Sequence, residues 1–510
     1  MGSCSNRLWI LALSIAGPLA CSLPESGLTI DKAVQGNDSY VALSADGHSI
    51  YHSFDGEQWK LAFTHEGKAL HHLSFDGERY VVATEKLRYV STDASGISWQ
   101  RDTSVQGKTH PDIIPGSYIV MYDESKVDTA ETFTHDLTAN LLANGERIQI
   151  KSIYQYAGPG FAAEMSDEAA HMLAKHPAVA YVQHDYRTHL IEPIETRATQ
   201  ATPDLWNLDR IDQKHLPLDG QYTFPATGQG VHAYIWDTGI RRDHIEFAGK
   251  AFGSSMDQGC PYSQVTDHGT HVAGTVGGRT HGIAKDVILH SVNGAGCDSA
   301  GIGVQISVID RIIRDAKINS WRSVVNMSWG SPVPNKNEPD ALRDALVKAT
   351  REGIVMVAAA GNSAQSEVPG EADTCNWSPA GVEGVIAVGS YTTQGDPIPH
   401  ETNREARSWF SNYGPCVTLF APGEEIRSAG TASSTEIVVM QGTSMAAPHV
   451  TGAAALYLEL FPHATVEEVK QALITASTQG VMRTSDLHDS PNRLLNVNFR
   501  RQAAGFDPGL

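Results

Sequence analysis

Two histidines, His268 and His271, stand three residues apart in the stretch "DHGTHVAGTVGG", just ahead of a run of small side chains. Residues i and i+3 share a helix face, so the spacing suits a pair of metal ligands. It suits equally one catalytic histidine placed where a helix begins. Two further positions bear on the choice. Asp237 ends the apolar run "HAYIW" and precedes Thr-Gly, and Ser444 lies in "QGTSMAAPHVTGAAALYL", between a glycine turn and a long helical stretch. Pro448 is expected only in that helix's first turn, which puts Ser444 at or just before its N-terminus. A hydroxyl there sits near the helix's positive end and its free N–H groups, where a developing oxyanion is stabilised. A serine hydroxyl is a poor nucleophile until a base takes its proton, and the base needs an acid to orient its ring. Asp237, His268 and Ser444 can fill those roles. Singly, a strand-end aspartate is usually a cap and a serine in "GTS" usually a turn; jointly, with these flanks, they point to nucleophilic catalysis. A zinc peptidase reading lacks the glutamate of a His-Glu-x-x-His helix, because Gly269 and Thr270 occupy the middle. It also leaves Asp237 and Ser444 without a role.

The elements that must position these residues lie between about Ala198 and Asn498. "GVHAYIWDTG", "VILHSV", "SVVNMSWG", "GIVMVAAAGN", "GVIAVGSY" and "VTLFAPG" are apolar, β-rich runs ending in polar or glycine turns, with helical stretches such as "ALRDALVKATRE" between them. Alternation of this kind implies a three-layer α/β domain with a parallel sheet. In such sheets functional residues gather at the carboxyl ends of the strands.

Before this domain the pattern differs. After "KTHPDIIPG" come a strand "SYIVMY", a helix over Thr129–Ala143, two strands in "RIQIKSIYQYAGPGFAAEM", and a helix capped by Ser166 and stopped at Pro177. A last strand, "AVAYVQHD", completes a compact α+β unit over 112–190. The segment 191–203, "IEPIETRATQATP", reads as an exposed linker, and the large domain occupies 198–500. Residues 22–105 hold a weak internal repeat: "YVALSADGHSIYHSFDGEQW" is echoed by "YVVATEKLRYVSTDASGISW". Each copy starts a strand at Tyr40 or Tyr80 and closes on Trp59 or Trp99. A period of about 40 residues with Gly turns is propeller-like, and "SFDGEQW" resembles an Asp-box turn. Two copies cannot close a propeller, so a small β module is expected. A glycan-binding or surface-adaptor role and a purely structural turn both remain open for it.

At 510 residues the chain should divide into two to four domains, and 41 % hydrophobic content supports sizeable cores. A formal charge of −20 argues against nucleic acid or an anionic membrane as main partner. Residues 1–21 read as an export signal, with Arg7 ahead of "LWILALSIAGPLA". Cys21 follows "PLA", as in a bacterial lipoprotein signal, although Pro18 stands where an aliphatic residue is preferred. With Cys4 removed, the later cysteines are Cys260, Cys297, Cys375 and Cys416, enough for two disulfides with three pairings open.

"YIWDTGI", "DHGTHVAGT" and "GTSMAAPHVTGAAAL" resemble the three catalytic blocks of subtilisin-like serine proteases, in that family's Asp…His…Ser order. "LDRIDQ", "SNYGPCVTLFAPG" and "SPNRLLN" resemble the proteinase K and aqualysin branch. The resemblance covers about 300 residues from Ala198. It implies a serine endopeptidase in which Asp237 orients the base, His268 is the general base and acid, and Ser444 attacks the peptide carbonyl. Asn362 of "AAGN" would complete an oxyanion hole with the Ser444 N–H. Ser328, Trp329 and Gly330, with Ala359, Ala360 and Gly361, match the walls of the family's S1 pocket, which suggests apolar or aromatic P1 side chains. Ser299, Ala300 and Gly301 match the edge strand that pairs with extended substrate. The resemblance pairs Cys260 with Cys297 and Cys375 with Cys416, although Cys260 lies farther before His268 than the family pattern has it. It also implies structural calcium and no catalytic metal. Asp209, Asp212, Gln213 and Asp219 match one calcium loop, while Thr418 stands where the branch has a calcium-binding aspartate at a second site.

The α+β unit resembles the inhibitory propeptide of these proteases through "GSYIVMYDE", "GFAAEM" and "AVAYVQHD". The implied protein is a secreted, self-processed monomeric zymogen, cut near Arg197–Ala198. Its partners are protein substrates and its own propeptide, with a membrane only if Cys21 is lipidated. A catalytically inactive binding protein on the same fold is the alternative; the presence of all four chemical positions argues against it.

Overall fold

The protein is represented by a computed structural model that describes residues 21–499 except 23–28, 36–38, several short turns between 56 and 111, 144–146, 191–204, 254–265, 294–298, 334–339 and 396–403. The signal stretch before Cys21, the linker 191–203, Cys260 and Cys297 lie outside the described residues.

Period-2 alternation builds the N-terminal module. Strands start at Tyr40 and Tyr80, and Val41, Leu43, Ile50, Tyr80 and Val82 turn inward to one core. A five-stranded and a four-stranded antiparallel sheet share that core and, among the described residues, do not pair with each other to close a ring. A two-residue strand, β1 (Val105–Gln106), leads out of the module.

The α+β unit follows: β2 (Ile113–Tyr122), α1 (Ala130–Ala143), β3 (Ile148–Tyr154), β4 (Gly160–Met165), α2 (Asp167–Ala174) and β5 (Val179–Leu190). Ser166 caps α2, its side chain accepting from the Ala169 N–H, as the sequence predicts. The sheet order is β3-β4-β2-β5. "SYIVMY" is continuously apolar because both faces of β2 are buried. Tyr118, Val120 and Tyr122 enter the unit's own core, while Ile119 and Met121 face helices of the large domain.

In the large domain the strands are β6 (Val231–Trp236), β7 (Ile288–Val292), β8 (Ser299–Gly301), β9 (Arg322–Met327), β10 (Trp329–Pro332), β11 (Val355–Ala359), β12 (Ile386–Thr392) and β13 (Leu419–Pro422). The helices that matter are α3 (Trp206–Asp212), α4 (Asp267–Gly277), α5 (Ile302–Asn319), α6 (Ala341–Arg351) and α7 (Thr443–Leu460). The central sheet runs β7-β6-β9-β11-β12-β13, all parallel. Alternation in β6 shows why its residues are apolar throughout: Val231, Ala233 and Ile235 pack with α4 and α7, while Tyr234 and Trp236 pack with α5 and α6. Each such buried Val or Ile contributes about 1.5–3 kcal/mol. This is the expected three-layer α/β arrangement.

Candidate active site

Asp237 follows the last residue of β6 at the carboxyl edge of the sheet and is fully buried. Its Oδ1 accepts from the Thr238 N–H at 2.8 Å and from His268 Nδ1 at 2.7 Å. A carboxylate can only accept, so Nδ1 carries the hydrogen and the basic lone pair is left on Nε2. His268 is the second residue of α4 and only 5 % exposed. Small residues make this approach possible. A Cβ on Gly269 would lie 2.4 Å from the Gly239 carbonyl and 3.0 Å from Asp237 Oδ1; one on Gly274 would lie 2.2 Å from Ser428 Oγ. His271, one turn on, faces away from this pair. Its Nε2 meets the Ile426 carbonyl at 2.8 Å, and burial pushes its pKa down to about 3, so it is a neutral packed side chain.

Ser444 is the second residue of α7, following Gly442, whose φ of +147° suits glycine. Pro448 is not in the first turn as expected; it is the sixth residue of the helix. A proline there cannot donate to the carbonyl four residues earlier, which is that of Ser444. The structure supplies a substitute: Ser328 Oγ donates to the Ser444 carbonyl at 2.9 Å, and Ser444 Oγ donates to the Ser328 carbonyl at 3.3 Å. Ser328 is braced in turn, for Asn326 Nδ2 donates to its Oγ at 2.9 Å and Thr451 Oγ1 donates to Asn326 Oδ1 at 3.0 Å. Asn326 and Thr451, both fully buried, were not singled out in the sequence. One signal was available: an asparagine in the otherwise apolar run "SVVNM" needs buried partners.

Asn362 Oδ1 accepts from both the N–H and the hydroxyl of Thr443, each at 2.9 Å. With its oxygen so held, the Asn362 side chain presents its NH₂ as donor. Gly361 has φ +109°, and a Cβ there would lie 2.3 Å from Asn412 Nδ2. Asn412, also absent from the sequence reading, clamps this loop: it donates to the Ala360 carbonyl at 3.0 Å and accepts from the Ser363 N–H at 2.7 Å.

The expected substrate edges come together around β5. Arg187, Thr188 and His189 pair antiparallel with Gly301, Ala300 and Ser299, and His189 and Leu190 pair with Gly330 and Trp329. Trp329 meets this edge through its main chain only. Its indole is 1 % exposed and packs on Trp236 in the core, with centroids 4.7 Å apart. Ala359 and Ala360 are also fully buried, Ala359 in the core. Side chains of the α+β unit hold the same domain farther back. Tyr181 and Tyr186 donate to Asp344 and Asp340, each at 2.6 Å, and Gln183 Oε1 accepts the Ala341 N–H at the start of α6 at 2.9 Å.

Cys375 and Cys416 form a disulfide. The acidic loop expected to hold calcium is divided. Asp209 spends its two oxygens on the Asp219 and Gly220 N–H groups, at 3.2 and 2.7 Å, and Asp219 accepts the Gln221 N–H at 2.9 Å. Gln213 donates to the carbonyls of His215 and Pro217. Asp212 Oδ1 is buried with no hydrogen-bond partner; burial, with Asp219 and Asp209 nearby, raises the Asp212 pKa. Among the described residues no group of three or more His, Cys, Asp or Glu has the arrangement of a metal site. Thr418, at the second expected position, accepts the Ala387 N–H on its Oγ1 at 3.3 Å.

A buried acid pins an imidazole at a sheet edge, and a serine hydroxyl stands at a helix start. The chain belongs to the subtilase family: the profile of that family matches residues 228–494, and the profile of the peptidase inhibitor I9 family matches residues 117–190. It is therefore a subtilisin-like serine endopeptidase carrying an N-terminal propeptide. The extracellular serine proteinase of Thermus sp. (strain Rt41A) is 38 % identical over 78 % of this chain and 93 % of the relative. The alkaline serine exoprotease A of Vibrio alginolyticus is 36 % identical over 78 % of this chain and 70 % of its own. Among solved structures, a cold adapted subtilisin-like serine proteinase matches 58 % of this chain and 99 % of its own at 37 % identity and a TM-score of 0.50. Fervidolysin from Fervidobacterium pennivorans shares the fold, with a TM-score of 0.57 at 20 % identity over 77 % of this chain and 61 % of its own.

Proposed function

We propose that the chain is a secreted, self-processing endopeptidase in which Asp237, His268 and Ser444 form the catalytic triad. The observation that carries this is the buried 2.7 Å contact from His268 Nδ1 to Asp237, which fixes the ring tautomer a general base needs. Ser444 Oγ attacks the peptide carbonyl carbon as His268 Nε2 takes its proton. The tetrahedral oxyanion accepts from Asn362 Nδ2 and the Ser444 N–H. Collapse breaks the C–N bond, and the leaving amine receives the proton from His268. A water molecule, deprotonated by the same base, then releases the acyl group and regenerates the serine.

The first substrate is the chain itself. β5 pairs with both edges, Ser299–Gly301 and Trp329–Gly330, in the manner of an extended peptide, and the chain continues from there toward the expected cut near Arg197–Ala198. Small residues at the pocket walls favour apolar or aromatic P1 side chains. The extracellular and alkaline proteases among the relatives support secretion, and release from a lipidated Cys21 would follow the same cut. Calcium at the α3 loop would use Asp212 Oδ1, with Asp209 and Asp219 shaping the turn around it. A serine-directed fluorophosphonate should label the wild-type protein and not Ser444→Ala, and N-terminal sequencing should find a new start near Ala198 only in the wild type. Labelling of Ser444→Ala, or equal processing of both, would overturn the assignment.

A further inference from the structure

Neither family profile reaches N-terminal to Ser117, so the β module has no role assigned by family. Among the described residues, two of its aspartates are bonded within their own turns. Asp55 accepts from Ser53 Oγ at 2.9 Å and the Gln58 N–H at 2.8 Å; Asp46 accepts from Ser44 Oγ at 2.5 Å and the His48 N–H at 3.0 Å. Trp99 donates its indole N–H to the Gly96 carbonyl at 2.9 Å. Asp46 and Asp55 thus each brace a turn.

The module does grip the propeptide. Arg101 donates to the carbonyls of His176 at 3.3 Å and Ala180 at 3.0 Å, and to that of Val179 between them. Those three carbonyls lie where α2 ends and β5 begins. Four residues after Arg101, β1 pairs parallel with the same strand, Val105 opposite Val182 and Gln106 opposite Gln183, and Val105 packs on the propeptide core. Arg88 sets the approach from the module's side, contacting Asp102 at 3.3 Å and Gln106 Oε1 at 3.2 Å. The gripped strand is the one that does the inhibiting. Tyr181, Gln183 and Tyr186 hold the enzyme through its α6 region, and residues 187–190 occupy the substrate edges.

We propose that the N-terminal module is a clamp on the inhibitory strand, which keeps the propeptide folded and seated and so prolongs latency after the chain is cut. This rests on the self-processing reading above. The physical reason is a population argument. An inhibitor that binds only when folded has an apparent affinity reduced by the fraction unfolded, and a small domain with one modest core is marginal unless something staples it. Three hydrogen bonds from one guanidinium and an added strand are such a staple. A charge-assisted set of this kind shifts an equilibrium by roughly tenfold or more.

The test uses the full chain as wild type, Arg101→Ala and Arg101→Lys. Cleavage is followed on gels, and activity is followed with a chromogenic peptide. The expected result is cleavage at an unchanged rate with the lag between cleavage and activity shortened about tenfold in Arg101→Ala, less in Arg101→Lys, and equal specific activity of the mature enzymes. An unchanged lag in Arg101→Ala overturns the clamp while leaving self-processing intact. A parent chain that is never cut overturns self-processing instead. The clamp is then still decided in the Ser444→Ala background by hydrogen exchange. There Arg101→Ala should lower protection of the amides over 179–186, and unaltered protection overturns it.

Discussion

Pro448 forces a prediction that depends on nothing but the geometry around Ser444. The Ser444 carbonyl is buried, its normal helical donor is missing because residue 448 is proline, and Ser328 Oγ fills the gap at 2.9 Å. Ser328→Ala should therefore strand a buried carbonyl, at a cost of about 1–3 kcal/mol. For a domain of this size that corresponds to a drop of roughly 2–10 °C in Tm. It should also lower kcat, because the backbone carrying the nucleophile loses its brace. Pro448→Ala restores an N–H four residues after Ser444, so Ser328→Ala should cost less in that background. The coupling expected in the double-mutant cycle is about 1–2 kcal/mol, well beyond the roughly 0.3–0.5 kcal/mol within which independent sites add. Thermal unfolding of the four chains, each carrying His268→Ala to prevent self-digestion, gives the stability cycle; kcat of the active chains gives the second readout. Additive costs would show that Ser328 and Pro448 do not share the Ser444 carbonyl, and the reasoning would be wrong.

Asn362→Leu should lower kcat by about 10²–10³ with KM nearly unchanged, since a donor aimed at the developing oxyanion acts in the transition state; a change confined to KM would contradict that role. His449 is buried, bonded to the Met445 carbonyl at 2.8 Å and to Asn207 at 2.9 Å, and burial pushes its pKa down to about 4. The unfolded chain binds a proton there below about pH 6.5 that the folded chain refuses, so the contribution is complete above that pH and is lost as pH falls toward 4. In the His268→Ala background, His449→Gln should make the fall of stability between pH 6 and 4.5 shallower by about 1.4 kcal/mol per pH unit; parallel profiles would rule this out. Chelation by EGTA should lower the Tm of the wild type and not that of Asp212→Asn, and an equal drop in both would remove Asp212 from any calcium site.

Much of the fold was legible locally. Continuous apolar runs announced strands buried on both faces, Ser166 announced the start of α2, and Tyr40 and Tyr80 opened the strands their alternation predicted. The three blocks around Asp237, His268 and Ser444 also carried their chemistry in residue type and flanking glycines, because a close approach such as Gly269 on Asp237 demands small side chains wherever it occurs.

The sequence by itself determined the strand–helix alternation and which side chains could act as acid, base and nucleophile. Tertiary structure alone decided what each finally touches. His268 and His271 are near neighbours in the chain, yet one meets Asp237 and the other the Ile426 carbonyl. Trp329 pairs through its main chain with Leu190 but turns its indole into the core, and Asp209 spends its carboxylate on its own loop. Ser328 reaches the Ser444 carbonyl across 116 residues, and Arg101 reaches Ala180 across 79. Hydrogen bonds over such separations exist only because packed layers bring distant segments within about 3 Å of each other, and no local periodicity encodes that meeting.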